Sequence, residues 1–219
     1  MDILIISKTH MNGKCCVGGI TPNGQFVRLL TSTGDNQPEN TELTIRQIWD
    51  MTFVNKAHRI FPHVEDVLIQ SKTHKRELRK DIKILDFIQQ LNALIWKGSP
   101  DNLFDGLIKW ENGSGFIDTK AIPKQSVGFW ISDKPLIRKD FKEKVRYEYP
   151  PFYSTIEIDG LPVVGQRQWR NISFVGFQTS VDIIPAGTLL RVSLARWWEK
   201  DKNTEKRCYL QLSGWYDLD

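Results

Sequence analysis

The sequence predicts a mainly β protein with a helical insert (α+β), built as two small β-barrels in tandem. Three observations carry that reading. Short alternating apolar runs, punctuated by Gly, Asn and Pro turns, fill the first third of the chain. One stretch then switches to helical periodicity. Short strand-like runs resume after it and continue to the C-terminus.

Asp2–His10, Lys14–Thr21 and Gln25–Thr31 read as strands, joined by the turns Met11-Asn12-Gly13 and Pro22-Asn23-Gly24. Tight turns between neighbouring strands make an antiparallel meander. Ser32–Glu42 is polar and reads as a long loop, and Trp49–Lys56 and Val64–Ser71 are two further strands. Five strands of this kind complete a small barrel of the oligonucleotide/oligosaccharide-binding type, the OB-fold, over residues 1–76. From Leu78 to Trp96, the apolar residues Leu78, Ile82, Leu85, Ile88, Leu91 and Ile95 recur at helical spacing, with Gly98 as the stop. Ser99-Pro100-Asp101 is a helix start, because a capping hydroxyl, a first-turn proline and an acid at the positive dipole end stand in order. A short second helix through Ile108 completes an insert over residues 77–112, and Glu111–Gly115 reads as a flexible hinge. Strand candidates at Ser126–Ser132, Lys144–Tyr149, Thr155–Asp159, Ile172–Phe177, Thr188–Trp197 and Lys206–Trp215 then build a second barrel over 120–219. A single continuous mixed sheet is the competing arrangement.

Composition narrows the function classes. The 219 residues carry 30 Lys+Arg against 26 Asp+Glu, a net charge of +4, which permits contact with phosphates without demanding it. The longest apolar runs, such as Ile3–Ile6, have four residues, too short to span a bilayer as a helix. With no secretion signal at the N-terminus, a cytoplasmic location is expected, with no membrane partner. Cys15 and Cys16 are adjacent and Cys208 stands alone, so neither a disulfide framework nor a Cys-x-x-Cys metal pair is available. His58 and His63 lie near Glu65 and Asp66 but lack a metal-ligand spacing, so neither metal nor cofactor is expected. Nucleophile elbow, P-loop, dinucleotide fingerprint and zinc-deaminase signatures are all missing, and the expectation is a non-enzyme.

The last hairpin is the most informative segment. Leu190, Val192 and Leu194 alternate with Arg191, Ser193 and Ala195; Cys208, Leu210 and Leu212 alternate with Arg207, Tyr209, Gln211 and Ser213. Period-2 alternation puts the first set on the core face and the second on the opposite one. Extended to Trp197 and Trp215, that face gathers Arg191, Arg207, Tyr209, Gln211 and one or both of these tryptophans, expected to point together into solvent. Guanidinium groups meet phosphates while flat rings stack on bases, worth about 1–3 kcal/mol per base. Rings packed under another element would leave the same pattern. A second candidate is Arg167, Trp169 and Arg170, an indole between guanidiniums in a loop-like setting, and its competing reading is a Trp plug with Arg heads reaching water. Lys8, His10 and Lys14 flank the first hairpin turn, where OB-folds often grip strands. The basic run Lys72–Lys83 is also able to line a helix face.

Ile5-Ile6-Ser7-Lys8-Thr9, the run Cys15–Ile20 leading to Val27-Arg28-Leu29-Leu30, and the ending Leu210–Tyr216 together resemble the dual OB-containing domain family of prokaryotes. The resemblance brackets nearly the whole chain. It implies two OB-like barrels in tandem and transfers no catalytic residue. It also implies nucleic-acid binding, in a setting such as a phage-defence or mobile-element locus. The functional expectation is therefore a module that holds single-stranded DNA or RNA beside a catalytic or scaffold protein partner. Interface hot spots are rich in the same Trp, Tyr and Arg residues, so a protein-interaction subunit is the alternative. A small-molecule pocket between the barrels is the third.

Overall fold

The structure, a computed structural model, describes residues 1–158, 161–202 and 204–218, with side chains throughout except those of 151–158 and 161–168. Strand β1 (Asp2–Met11) turns through Asn12 and Gly13, both with positive φ, into β2 (Lys14–Ile20). That conformation matches the twist of a two-residue hairpin, which is why Asn-Gly stands there. β3 (Phe26–Leu30) continues the meander, and β4 (Gln37–Pro38) is a short addition to the edge of β2. β5 (Gln47–Asn55) and β6 (Asp66–Glu77) close the ring. β6 runs antiparallel to β5 and parallel to β3, while β1 pairs with both β2 and β5. The result is a closed five-stranded barrel filled by Ile3, Ile5, Val17, Leu29, Trp49 and Met51.

The connecting segment is less helical than its periodicity suggests. Helix α1 covers only Ile84–Gln90. Leu78 N–H is already committed to the Arg46 carbonyl at 2.7 Å, and Asn92 in the left-handed region ends the helix. The final apolar residues become β7 (Ile95–Lys97), which pairs parallel to a strand of the second sheet. Ser99 caps a 3-10 helix over Pro100–Gly106 by accepting from the Asp101 N–H at 3.2 Å. The basic run fails as a helix face as well. Lys72, Lys75 and Arg76 lie in β6, where Lys72 pairs with Glu42 and Lys75 with Asp2.

Beyond it come β8 (Lys109–Glu111), β9 (Ser114–Asp118), β10 (Val127–Ile131), β11 (Leu136–Arg138) and β12 (Arg146–Ile158). β13 (Leu161–Phe174), β14 (Ile183–Ile184), β15 (Leu189–Leu194) and β16 (Arg207–Trp215) follow. With β7 they form a ten-stranded sheet in the order β14-β11-β12-β13-β9-β16-β15-β10-β7, with β8 paired to β9. Its core holds Phe104, Trp130, Tyr147, Ile172, Val192 and Leu212. The expected hinge is instead a hairpin turn. Asn112 and Gly113 both take positive φ and join β8 tightly to β9. Two expected strands merge into the single β12, and Gln166–Arg170 is strand β13 rather than a loop. A register shift between Tyr149 and Phe152 accommodates Pro150 and Pro151, which have no N–H to give to the ladder.

The chain is thus mostly β, with two short helices among the described residues, and its strands divide between two sheets rather than forming one. The class read from the sequence holds. No helix among the described residues is long and apolar enough to cross a membrane. The two sheets share a third cluster, in which Leu4, Ile6, Ile48 and Ile88 meet Phe129, Leu189 and Tyr216. β1 is therefore apolar on both faces: Ile3 and Ile5 fill the barrel, and Leu4 and Ile6 fill the junction.

Candidate functional site

The hairpin of β15 and β16 positions the site. Val192 pairs with Leu212 and Leu194 with Leu210, and all four side chains enter the core; Trp215, expected on the opposite face, enters it too, because the register shift between Arg191 and Val192 breaks the alternation there. Arg191, Ser193, Tyr209 and Gln211 take the other face, as the alternation predicts. The exposure of that face is not uniform. Its outer part opens into a groove of about 1000 Å3, and its inner end runs beneath the first barrel.

Among the described residues, Phe174, Trp197, Trp198 and Tyr209 line the groove with aromatic rings. Trp198 is 52% exposed and tilts against Tyr209 with ring centroids 6.1 Å apart. Trp197 packs on the sheet core and donates its indole N–H to the Phe61 carbonyl at 2.8 Å. Lys144, Arg146 and Arg196 supply positive charge, with Glu143 the one acidic residue among the described residues of the lining. The β1–β2 turn adds His10 and Asn12 to the rim, and His10 stacks on Phe177 at 3.8 Å. Both sheets thus contribute to one surface.

Arg191 corrects the expected exposure. It is only 5% exposed, because Gly18 of β2 lies over it. A Cβ at Gly18 would stand 2.7 Å from Arg191 Nη2 and 2.4 Å from Ser7 Oγ, so only glycine admits the guanidinium there. Around it is a seam of buried polar groups. Glu65 accepts from the Ser126 N–H at 2.6 Å and its hydroxyl at 2.8 Å, and burial pushes the Glu65 carboxyl up from its usual range. Asp66 pairs with Arg28 of its own barrel and, at 2.8 Å, with Arg196 of the other sheet. His63 Nε2 lies 3.8 Å from Cys208 Sγ. Burial, aided by the Arg28 charge, drops His63 to about 4, and burial pushes the Cys208 thiol up to about 12. At neutral pH both partners are therefore uncharged, the opposite of a thiolate–imidazolium pair.

The other candidates scatter. Arg207 is ion-paired with Glu111 and stacks on Phe116 at 4.0 Å, so its guanidinium is already engaged. Arg170 is buried, donates Nε–H to Asp101 at 3.1 Å and covers the Trp110 ring, while Trp169 beside it is 42% exposed. That reverses the plug-and-snorkel arrangement, because strand alternation separates the two. The Arg167 side chain lies outside the described residues. Lys8 donates to the Glu39 carbonyl at 3.1 Å and stands over Phe177, and Lys14 pairs with Asp35 at 3.1 Å on the surface. Sequence reasoning missed Trp198, Lys144, Arg146 and Arg196. The Trp197-Trp198 pair was a legible signal, since adjacent rings cannot both enter one core. The others depend on which strands meet. Among the described residues, no group of three or more His, Cys, Asp or Glu converges as a metal site.

A tandem of OB-like units with a shared aromatic groove defines the class. The profile of the dual OB-containing domain family matches residues 1–215, and the chain belongs to that family. No curated protein and no solved structure matches it significantly.

Proposed function

We propose that the protein is a cytoplasmic, non-catalytic module that binds single-stranded DNA or RNA in the groove between β13, β16 and the Trp197-Trp198 segment. The observation that carries this reading is the mixture on one open surface: the exposed Trp198 beside Tyr209, with Lys144, Arg146 and Arg196 around them. Rings stack on bases of any sequence, and cations track the backbone. Membership of an OB family adds weight, because such barrels hold oligonucleotides on a strand face. With no catalytic signature in its sequence, the module works beside a catalytic partner, in a phage-defence or mobile-element system.

Polarisation titration of labelled single strands over a salt series tests the proposal. Trp198→Ala should weaken binding by about 1–3 kcal/mol, the worth of one stacked base. Arg146→Ala should lower the salt slope by about 0.7, one phosphate contact on a single strand. Binding that neither change affects would place the strand elsewhere. A protein-docking role is the second reading, favoured by the exposed Ile60 and Phe61 beside Trp197. That contact would survive nuclease treatment.

A further inference from the structure

We infer that the seam between the two sheets holds a binding pocket for one terminal phosphate group, a strand-end phosphomonoester or inorganic phosphate, with Arg191 as its principal ligand. Arg191 is 95% withdrawn from solvent, its Nε is fully enclosed without a partner, and no carboxylate among the described residues pairs with it. A buried guanidinium left this way is costly, because it loses water and receives no acceptor in exchange. It faces a cavity of about 60 Å3 that Arg28, Arg196, Ser126, Ser193 and Gln211 also line. One water occupies about 10–15 Å3 on this measure, so the space suits one phosphoryl group and excludes a nucleoside.

Charge and donors agree with the size. Three guanidiniums, those of Arg28, Arg191 and Arg196, face two carboxyls, Glu65 and Asp66, so positive charge remains even with both acids ionised. Burial disfavours the ionised form of Glu65 and widens that excess. The Gln211 amide and the Ser193 hydroxyl, which is paired with the Ser213 hydroxyl at 2.7 Å, lie on the β15–β16 face next to Arg191. The cavity adjoins the groove, since Ala195, Arg196 and Gln211 border both. Such a group reaches it as the terminal phosphomonoester of a strand lying in the groove, a source that rests on the function proposed above, or as free inorganic phosphate. An internal phosphodiester does not fit, because its chain continues on both sides.

The test uses the full chain and its Arg191→Met variant. Removing an unpaired buried charge while keeping its shape should leave the melting temperature equal or higher. Inorganic phosphate, against chloride at matched ionic strength, should raise the melting temperature of the parent protein and not that of the variant. In polarisation, a strand phosphorylated at its 5′ or 3′ end should bind the parent about tenfold tighter than the unphosphorylated strand, about one charge-assisted contact's worth. The variant should bind all three strands alike. A phosphate response without end preference assigns the pocket to free phosphate and supports it. If strands bind the groove yet phosphate and phosphorylated ends have no effect, the pocket is refuted while the groove stands. A variant that melts well below the parent, with an unchanged phosphate response, refutes it too and makes Arg191 a structural strut.

Discussion

Single residues in the seam carry charges that the rest of the protein has to manage. His63 is the clearest, held near pKa 4 by burial and by Arg28 while the backbone of Ala195 opposes the shift. In the unfolded chain this ring takes up its proton below about pH 6.5, whereas the folded one stays neutral down to about 4. Between those values the unfolded state binds more protons, so stability falls as pH drops through the window. From about pH 7 to about pH 4.5 the loss should be about 2–3 kcal/mol. Urea unfolding of the parent and of His63→Gln at both pH values measures it. The variant should lose that much less than the parent, with Glu65, which shifts in the opposite sense, present in both. Equal losses would mean that the ring charges in place without penalty. None of this is legible in sequence, where His63 looks like any loop histidine; only the strand crossing that brings Arg28 and Cys208 around it creates the shift.

At the scale of elements, alternation and turn chemistry were read well and long-range competition was not. The meander of β1 to β3 follows from Asn-Gly turns and local pairing, and the face occupied by Arg191, Tyr209 and Gln211 follows from period 2 alone. The helix over Leu78–Trp96 fails because both ends of its apolar series are captured by segments distant in sequence, the turn before β5 at one end and β10 at the other. Gly113 shows the same contrast. Its Asn-Gly pair is a hairpin signal that the following Ser114 and Gly115 disguise as a hinge. With φ of +78° and a would-be Cβ 2.8 Å from Asn171 Nδ2, Gly113→Ala should cost about 1–2 kcal/mol. That corresponds to a melting point lower by roughly 2–8 °C, readable by calorimetry. An unchanged melting point would mean that the β8–β9 turn is free to bend as a hinge does.

The molecule as a whole behaves as two β units closed on one another. Leu4 and Ile6 point out of the first barrel only because Phe129 and Tyr216 cover them, and the Tyr216 hydroxyl donates to the Ile6 carbonyl. This closure places the β1–β2 turn beside the Trp197-Trp198 segment and buries Arg191 under Gly18. The one face seen in the sequence is thus divided into an open groove and a narrow pocket. The strand face was legible; its division was not, because nothing local records which barrel surface lies opposite. The claim of a strand-binding groove is tested most directly by photo-crosslinking a single strand that carries a photoreactive base and sequencing the attached peptides. Attachment should concentrate in peptides containing Lys144–Arg146, Trp197-Trp198 and Tyr209, and should fall sharply in Trp198→Ala. Attachment spread over the basic surface of β6, at Lys72, Lys75 and Arg76, with none in the groove, would contradict it.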